Sequence, residues 1–267
     1  MRRMIRATHS PSPATKAEPM IRHFLASALL AGLLAGLAIT GLQQVTTAPL
    51  ILQAERYEAA ALASASTTPH THTSGVAAHE PAHSHGAEDG GWAPSDGMER
   101  LFFTALANVI AGIGFAFLLV ACLALSKGKA SGPAGVLWGT AGFAVFTLAP
   151  SLGLAPELPA MSAAGLVERQ TWWIFAAAAT ASGLWLLVFP KKPLAAAAGI
   201  VAIALPHLVG APHPAELSAQ VAPELASRFA AASIATSAVF WVCLGWLAGA
   251  LYARSAAEPA ARLSAAE

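Results

Sequence analysis

Apolar residues come in six blocks along this 267-residue chain, at about 24–42, 101–125, 134–152, 172–189, 194–211 and 229–252. A helix crosses about 30 Å of hydrocarbon with roughly 17–25 residues, so each block predicts one transmembrane helix. The expected fold is all-α: a polytopic membrane bundle of six helices. The fifth block is the weakest, because it is short, opens after Pro193 and carries Pro206 and His207; five spans is the alternative. Between the first two blocks a long polar segment, 43–100, leaves the membrane. Its opening run, Pro49 to Glu58, reads as a continuing or interfacial helix. Its closing run, Trp92 to Arg100, reads as a turn into the second span, with Trp92 suited to the membrane interface. The resulting organisation is a tail at 1–22, a bundle at 23–253 and a second tail at 254–267.

Composition agrees with lipid as the solvent. Hydrophobic residues make up 56% of the chain and charged residues 11%, against about 25% charged in an average soluble domain. A net charge of +1 gives no basic footprint for nucleic acid. Cys122 and Cys243 both lie in apolar blocks, which excludes a disulfide framework and a cysteine zinc site and reads as two small buried hydrophobes. Charge also orients the chain. With six spans and a cytoplasmic N-terminus, Arg2, Arg3, Arg6, Lys16, Arg22, Lys127, Lys129, Lys191, Lys192, Arg254 and Arg262 fall inside. Only Arg56, Arg100, Arg169 and Arg228 fall outside, as the positive-inside rule requires. The expected location is a bacterial inner membrane with both termini cytoplasmic. The first span is long for a signal-peptide core and holds the pair Gly32/Gly36. Similar pairs at Gly135/Gly139 and Gly245/Gly249 let helix backbones approach closely in lipid, which favours a compact bundle.

Candidate chemistry starts in the outer segment. Residues 63–91 are rich in Ala, Ser, Thr, Gly, Pro and His without an apolar period, so this stretch reads as flexible. It holds His70, His72, His79, His83 and His85, with Glu80, Glu88 and Asp89. Neutral imidazole suits Zn, Cu, Ni, Co and Fe ions, and the pattern reads as a metal collector without fixed geometry. A solubilising or pH-responsive linker is the plainer reading. Because histidine must be neutral to ligate, capture should weaken in acid. Within the spans, Asn108, Thr147, Ser151, His207, Ser233, Thr236 and Ser237 all fall in the outer halves, where they could converge on a vestibule. Ser and Thr also bond back to their own helices, so the hydroxyls alone prove little. An ionisable group in a span is functional by default, which singles out His207. Pro150 and Pro206 free helix carbonyls at membrane depth. No acyl-transfer triad, phosphate-cradling loop or helical His-Glu-x-x-His occurs, so the chain does not read as an enzyme.

Several runs resemble one family, the cobalt transporter subunit CbtA. They are PLILQAERYE from Pro49, WAPSDGMER from Trp92 with Asn108 after it, GFAVFTLAP from Gly142, GLAPELP from Gly153, RQTWW from Arg169, PHLVGAP from Pro206, Pro214-Ala-Glu216 and Pro223-Glu-Leu. In order, they cover about residues 20–253. The resemblance implies uptake of Co2+, with Ni2+ as the other candidate, tied to cobalamin synthesis. It also implies a small single-span, histidine-rich partner, CbtB. The family is usually described with five spans, one fewer than the count above. Thr147 departs from the pattern, standing where many members have histidine, which argues against a metal site built at that position.

Together these readings set the expectation of a secondary or partner-driven importer with no permanently bound cofactor. The metal-handling residues would be His70, His72, His79, His83, His85 and His207. Asn108, Glu55, Glu58, Asp96, Glu99, Thr147, Pro150, Glu157, Pro206, Ser233 and Thr236 would form the path. The alternative is an accessory protein that buffers divalent metal for another channel and has no pore.

Overall fold

The computed structural model describes residues 13–66, 94–214 and 221–264, and these are helical without a strand. The first helix, α1 (Pro13–Val45), runs past the predicted end of its apolar block. It stops where Pro49 withholds the amide that the next turn needs. Thr46 and Thr47 bridge the bend: their amides bond to the Leu42 and Gln43 carbonyls at 3.1 Å, and the Thr46 hydroxyl donates to Leu42 at 2.8 Å. The chain then continues as α2 (Ala48–Ser66), the helix expected from Pro49 to Glu58, here extended into the segment read as flexible. Helix α3 (Met98–Leu125) follows, then α4 (Gly132–Ser151), α5 (Leu166–Val188), α6 (Pro193–Val209) and α7 (Pro223–Ser264).

Five of these helices are long and apolar enough to cross a membrane. The shorter α6 covers 17 residues, about 25 Å at 1.5 Å per residue. It pairs antiparallel with α5, 17 residues against 23. Gly183 faces Gly199 midway, and a Cβ on either would lie 2.7 Å from the other's carbonyl oxygen. At the far end the His207 ring meets Trp172 edge-on at 6.0 Å. Six crossings are therefore compatible with the packing, and the shortness of α6 explains why five is the count by length alone.

Small residues set the bundle. On α1, Ser27, Ala28, Ala31, Gly32, Ala35, Gly36, Ile39 and Thr40 form one buried stripe, recurring every four residues. Gly32 lies against Gly112 of α3, whose added Cβ would sit 2.7 Å from the Gly32 carbonyl oxygen. Gly135 and Gly139 of α4 meet Gly245 and Gly249 of α7 in the same way. All three glycine pairs read from the sequence thus mark helix contacts, because in lipid close backbone approach is what association rests on. Between them sits a core of Ala35, Ala116, Leu119, Val120, Trp241 and Leu244. Leucines such as Leu29, Leu33 and Leu37 face outward, the arrangement lipid favours.

Two local features shape the rest. In α4 a π-helical turn, Ala144–Leu148, relieves the clash that the Pro150 ring would make with the carbonyl four residues earlier. It also places Phe146 parallel to Trp241, 5.7 Å and 6° apart. A second, smaller core of Leu50, Ala54, Leu158, Leu225 and Phe229 pins α2 beneath the 152–165 connection and the start of α7. The cysteine reading needs correction. Cys243 is exposed, because α7 turns its glycines and Trp241 inward instead, and Cys122 on α3 is only half-buried.

Candidate functional site: a polar cavity at the α2 end

One end of the bundle carries the α1–α2 bend and the starts of α3 and α7. There the four helices splay around a cavity of about 670 Å3. The α1 side contributes Ile39, Gln43, Gln44 and Thr47, and α2 adds Ala48, Ile51 and Leu52. From α3 and the turn before it come Asp96, Gly97, Arg100, Leu101, Thr104, Asn108 and Ala111. Helix α7 supplies Phe229, Ser233, Thr236, Ser237 and Phe240. Beyond Ile39, Ala111 and Phe240 the same helices close on the core of Ala35, Ala116, Trp241 and Leu244. The polar wall therefore belongs to one end of the molecule.

Helix geometry explains why these side chains meet. Ser233, Thr236 and Ser237 share a face of α7 at i, i+3 and i+4. Asn108 stands seven residues inside Leu101, about 10 Å along α3. Its amide donates to Thr40 at 3.0 Å and to the Gln43 side-chain oxygen at 2.7 Å, both on α1. The Thr40 hydroxyl in turn donates to the Gly36 carbonyl at 2.8 Å. Thr46 and Thr236 join the α1–α2 bend to α7 at 3.3 Å, and Thr104 bonds back to Arg100 at 2.8 Å. At the rim, Arg100 is gripped from both sides. Its guanidinium pairs with both carboxylate oxygens of Glu55 on α2, and with Asp96 at 3.0 Å. The grip holds α2 over the mouth while two carboxylates and one guanidinium leave a net charge of −1 there.

The expected path residues therefore divide. Asn108, Asp96, Ser233 and Thr236 line the cavity, and Glu55 reaches it through Arg100. Glu99 is turned back onto Ser95, accepting from its amide at 3.1 Å, and Glu58 lies exposed on α2. Thr147, on the other side of Trp241, accepts the indole N–H at 3.2 Å. Pro150 and Pro206 are buried in helix packing, and Glu157 pairs with Arg169 at 3.0 Å. His207 packs on Trp172 in the α5–α6 hairpin and is not part of the cavity wall. The loop histidines 70, 72, 79, 83 and 85 lie outside the described residues, and among the described residues no group of three His, Cys, Asp or Glu side chains could hold a metal.

Sequence reasoning missed Thr40, Gln43, Thr46 and the role of Arg100. Gln43 had been assigned to the loop because the apolar block ends at Leu42. The detectable signal was that Thr40, Gln43 and Gln44 are the first polar residues after a long apolar run in α1.

A bundle of apolar helices splayed at one end around an open cavity with polar groups in a largely apolar wall defines a polytopic helical membrane protein. The family model described as "Probable cobalt transporter subunit (CbtA)" matches residues 21–253, and the chain belongs to that family. Comparison with curated proteins and with solved structures gave no match.

Proposed function

We propose that the chain is the polytopic subunit of an importer for Co2+, with Ni2+ the next metal to consider, in a bacterial inner membrane. In this reading it serves cobalamin synthesis and works with a small single-span, histidine-rich subunit of the CbtB type. The α2 end faces outward and both termini lie in the cytoplasm. The observation that carries the reading is the polar cavity itself. Each buried polar group in lipid is costly unless partnered or wet, yet Asn108, Gln43, Thr236 and two serines gather at one place in an apolar bundle. The histidine-bearing segment rejoins the fold at Asp96 and Gly97, both in that wall. Metal gathered by His70 to His85 is thus delivered beside the mouth, where the Glu55–Arg100–Asp96 group favours a cation.

Radiolabelled cobalt accumulation in cells lacking other cobalt importers tests this. Expression of the chain with its partner should raise accumulation, and Asn108→Leu should reduce it. Deleting residues 70–85 should raise the metal concentration needed for half-maximal uptake without lowering the maximum. Uptake indifferent to the gene would refute the reading, and loss of the whole effect on deleting the loop would favour a metal buffer without a pore.

A further inference from the structure

The cavity wall lacks the groups that draw a transition metal out of its water shell. At the rim, Glu55 and Asp96 both pair with Arg100, Asp96 through one oxygen of a largely exposed side chain, and below the rim the polar atoms are neutral amide and hydroxyl oxygens and nitrogens. Such oxygens ligate a divalent transition ion no better than water does, whereas imidazole suits cobalt well. Exchanging coordinated water for this wall would gain nothing.

The direction of the protons is more telling. Thr40 gives its only hydroxyl proton to the Gly36 carbonyl, so toward Asn108 it can only accept. That fixes the Asn108 nitrogen toward α1, and its two N–H groups are then spent on Thr40 and Gln43. The Asn108 carbonyl oxygen keeps both lone pairs and has no partner among the described residues. Thr104 likewise spends its proton on its own helix. Ser233 and Ser237 line the cavity without a protein partner among the described residues. The wall therefore offers free acceptors at Asn108 and Thr104, and the Ser233 and Ser237 hydroxyls can turn to accept as well, while the Gln43 and Gln44 amide nitrogens remain donors.

Water bound to a divalent cation is the complementary donor. Its oxygen is committed to the metal, and the metal sharpens the acidity of its O–H groups. Space agrees: about 670 Å3 is roughly twenty times the 30 Å3 or so that one water occupies in the liquid. That is ample for an ion with its inner shell. We infer that the cavity takes its metal as the intact aqua ion, held through coordinated waters, with no protein atom in the metal's own coordination sphere. This rests on the cobalt-transport reading above and specifies the form of the substrate.

Hexaamminecobalt(III) tests it, because its ammonia ligands do not exchange and present outward N–H donors as the aqua ion presents O–H. Loop histidines cannot ligate it. In vesicles holding the full chain with its partner, it should compete with Co2+ for uptake. The Ser233→Ala/Ser237→Ala pair should weaken that competition about five- to tenfold, the effect of losing one or two hydrogen bonds, with unchanged thermal stability. In a purified chain with the five loop histidines replaced by alanine, bound Co2+ should keep the weak visible bands of six-fold oxygen coordination. Uptake that ignores the ammine complex, or the intense blue of tetrahedral cobalt in that chain, would overturn the inference while leaving cobalt transport standing. Absence of any Co2+ uptake would instead remove the transport reading, and this one with it.

Discussion

Single polar residues in this bundle are explained by what each spends its protons on. Asn108 stood out in the sequence as an amide at membrane depth, but only the positions of Thr40 and Gln43 say which of its atoms faces the cavity. Thr147 is the contrasting case. It was read as part of a vestibule, and it serves instead as acceptor for the buried indole of Trp241. Trp241 is 2% exposed, so water cannot replace a lost partner. Thr147→Val, which keeps the shape, should therefore cost about 1 kcal/mol, the scale of one hydrogen bond in protein or lipid. Thermal unfolding in detergent should show a lowered midpoint, with cobalt uptake little affected because Thr147 is not in the cavity wall. An unchanged midpoint would mean that the bond carries no net stability.

At the level of elements, glycine separates helix contact from lipid exposure. Gly135 is in backbone contact with Gly245, whereas Gly114 has open space where a Cβ would stand. Adding a side chain should then have opposite outcomes at the two positions. Gly135→Ala forces α4 and α7 apart, since its Cβ would overlap the Gly245 carbonyl oxygen, and overpacking of this kind costs about 1–3 kcal/mol or more. Gly114→Ala fills only lipid space and adds helix propensity worth up to about 1 kcal/mol. Size-exclusion profiles and detergent melting should show a collapsed yield of folded protein for the first and an equal or higher midpoint for the second. Equal tolerance at both positions would contradict the α4–α7 contact. The three sequence pairs were legible because glycines four residues apart are a local pattern. The Gly183–Gly199 contact was not, since each glycine stands alone in its helix.

For the whole molecule, sidedness follows from where the positive charge falls at the two ends of the bundle. Exposed Lys127, Lys129, Lys191 and Lys192 sit in the two turns at the end away from α2, and Arg254 leaves α7 at that same end. In the proposed orientation all three lie on the cytoplasmic side, as the positive-inside rule expects. Cysteines introduced singly by Lys129→Cys, Lys192→Cys and Arg254→Cys in a chain freed of Cys122 and Cys243 should react only from that face. Met161→Cys should react only from the other. If Arg254→Cys reacts from the side opposite to Lys192→Cys, α6 does not cross, and the count falls to five.

Length and hydropathy are properties of contiguous residues, so the chain by itself determined that this is a membrane bundle. They also located the five long apolar helices and showed which connections carry positive charge. Membership of a cobalt transporter subunit family was legible for the same reason, in runs of neighbouring residues. The cavity was decided by tertiary structure alone. Gln43 and Asn108 are 65 residues apart and Thr46 and Thr236 are 190 apart, and nothing in one dimension fixes the rotation of one helix against another. That rotation comes from where glycine backbones touch. In lipid this contact is the main discriminating force between otherwise similar apolar faces, and here it turns the polar residues of α1, α3 and α7 toward one another.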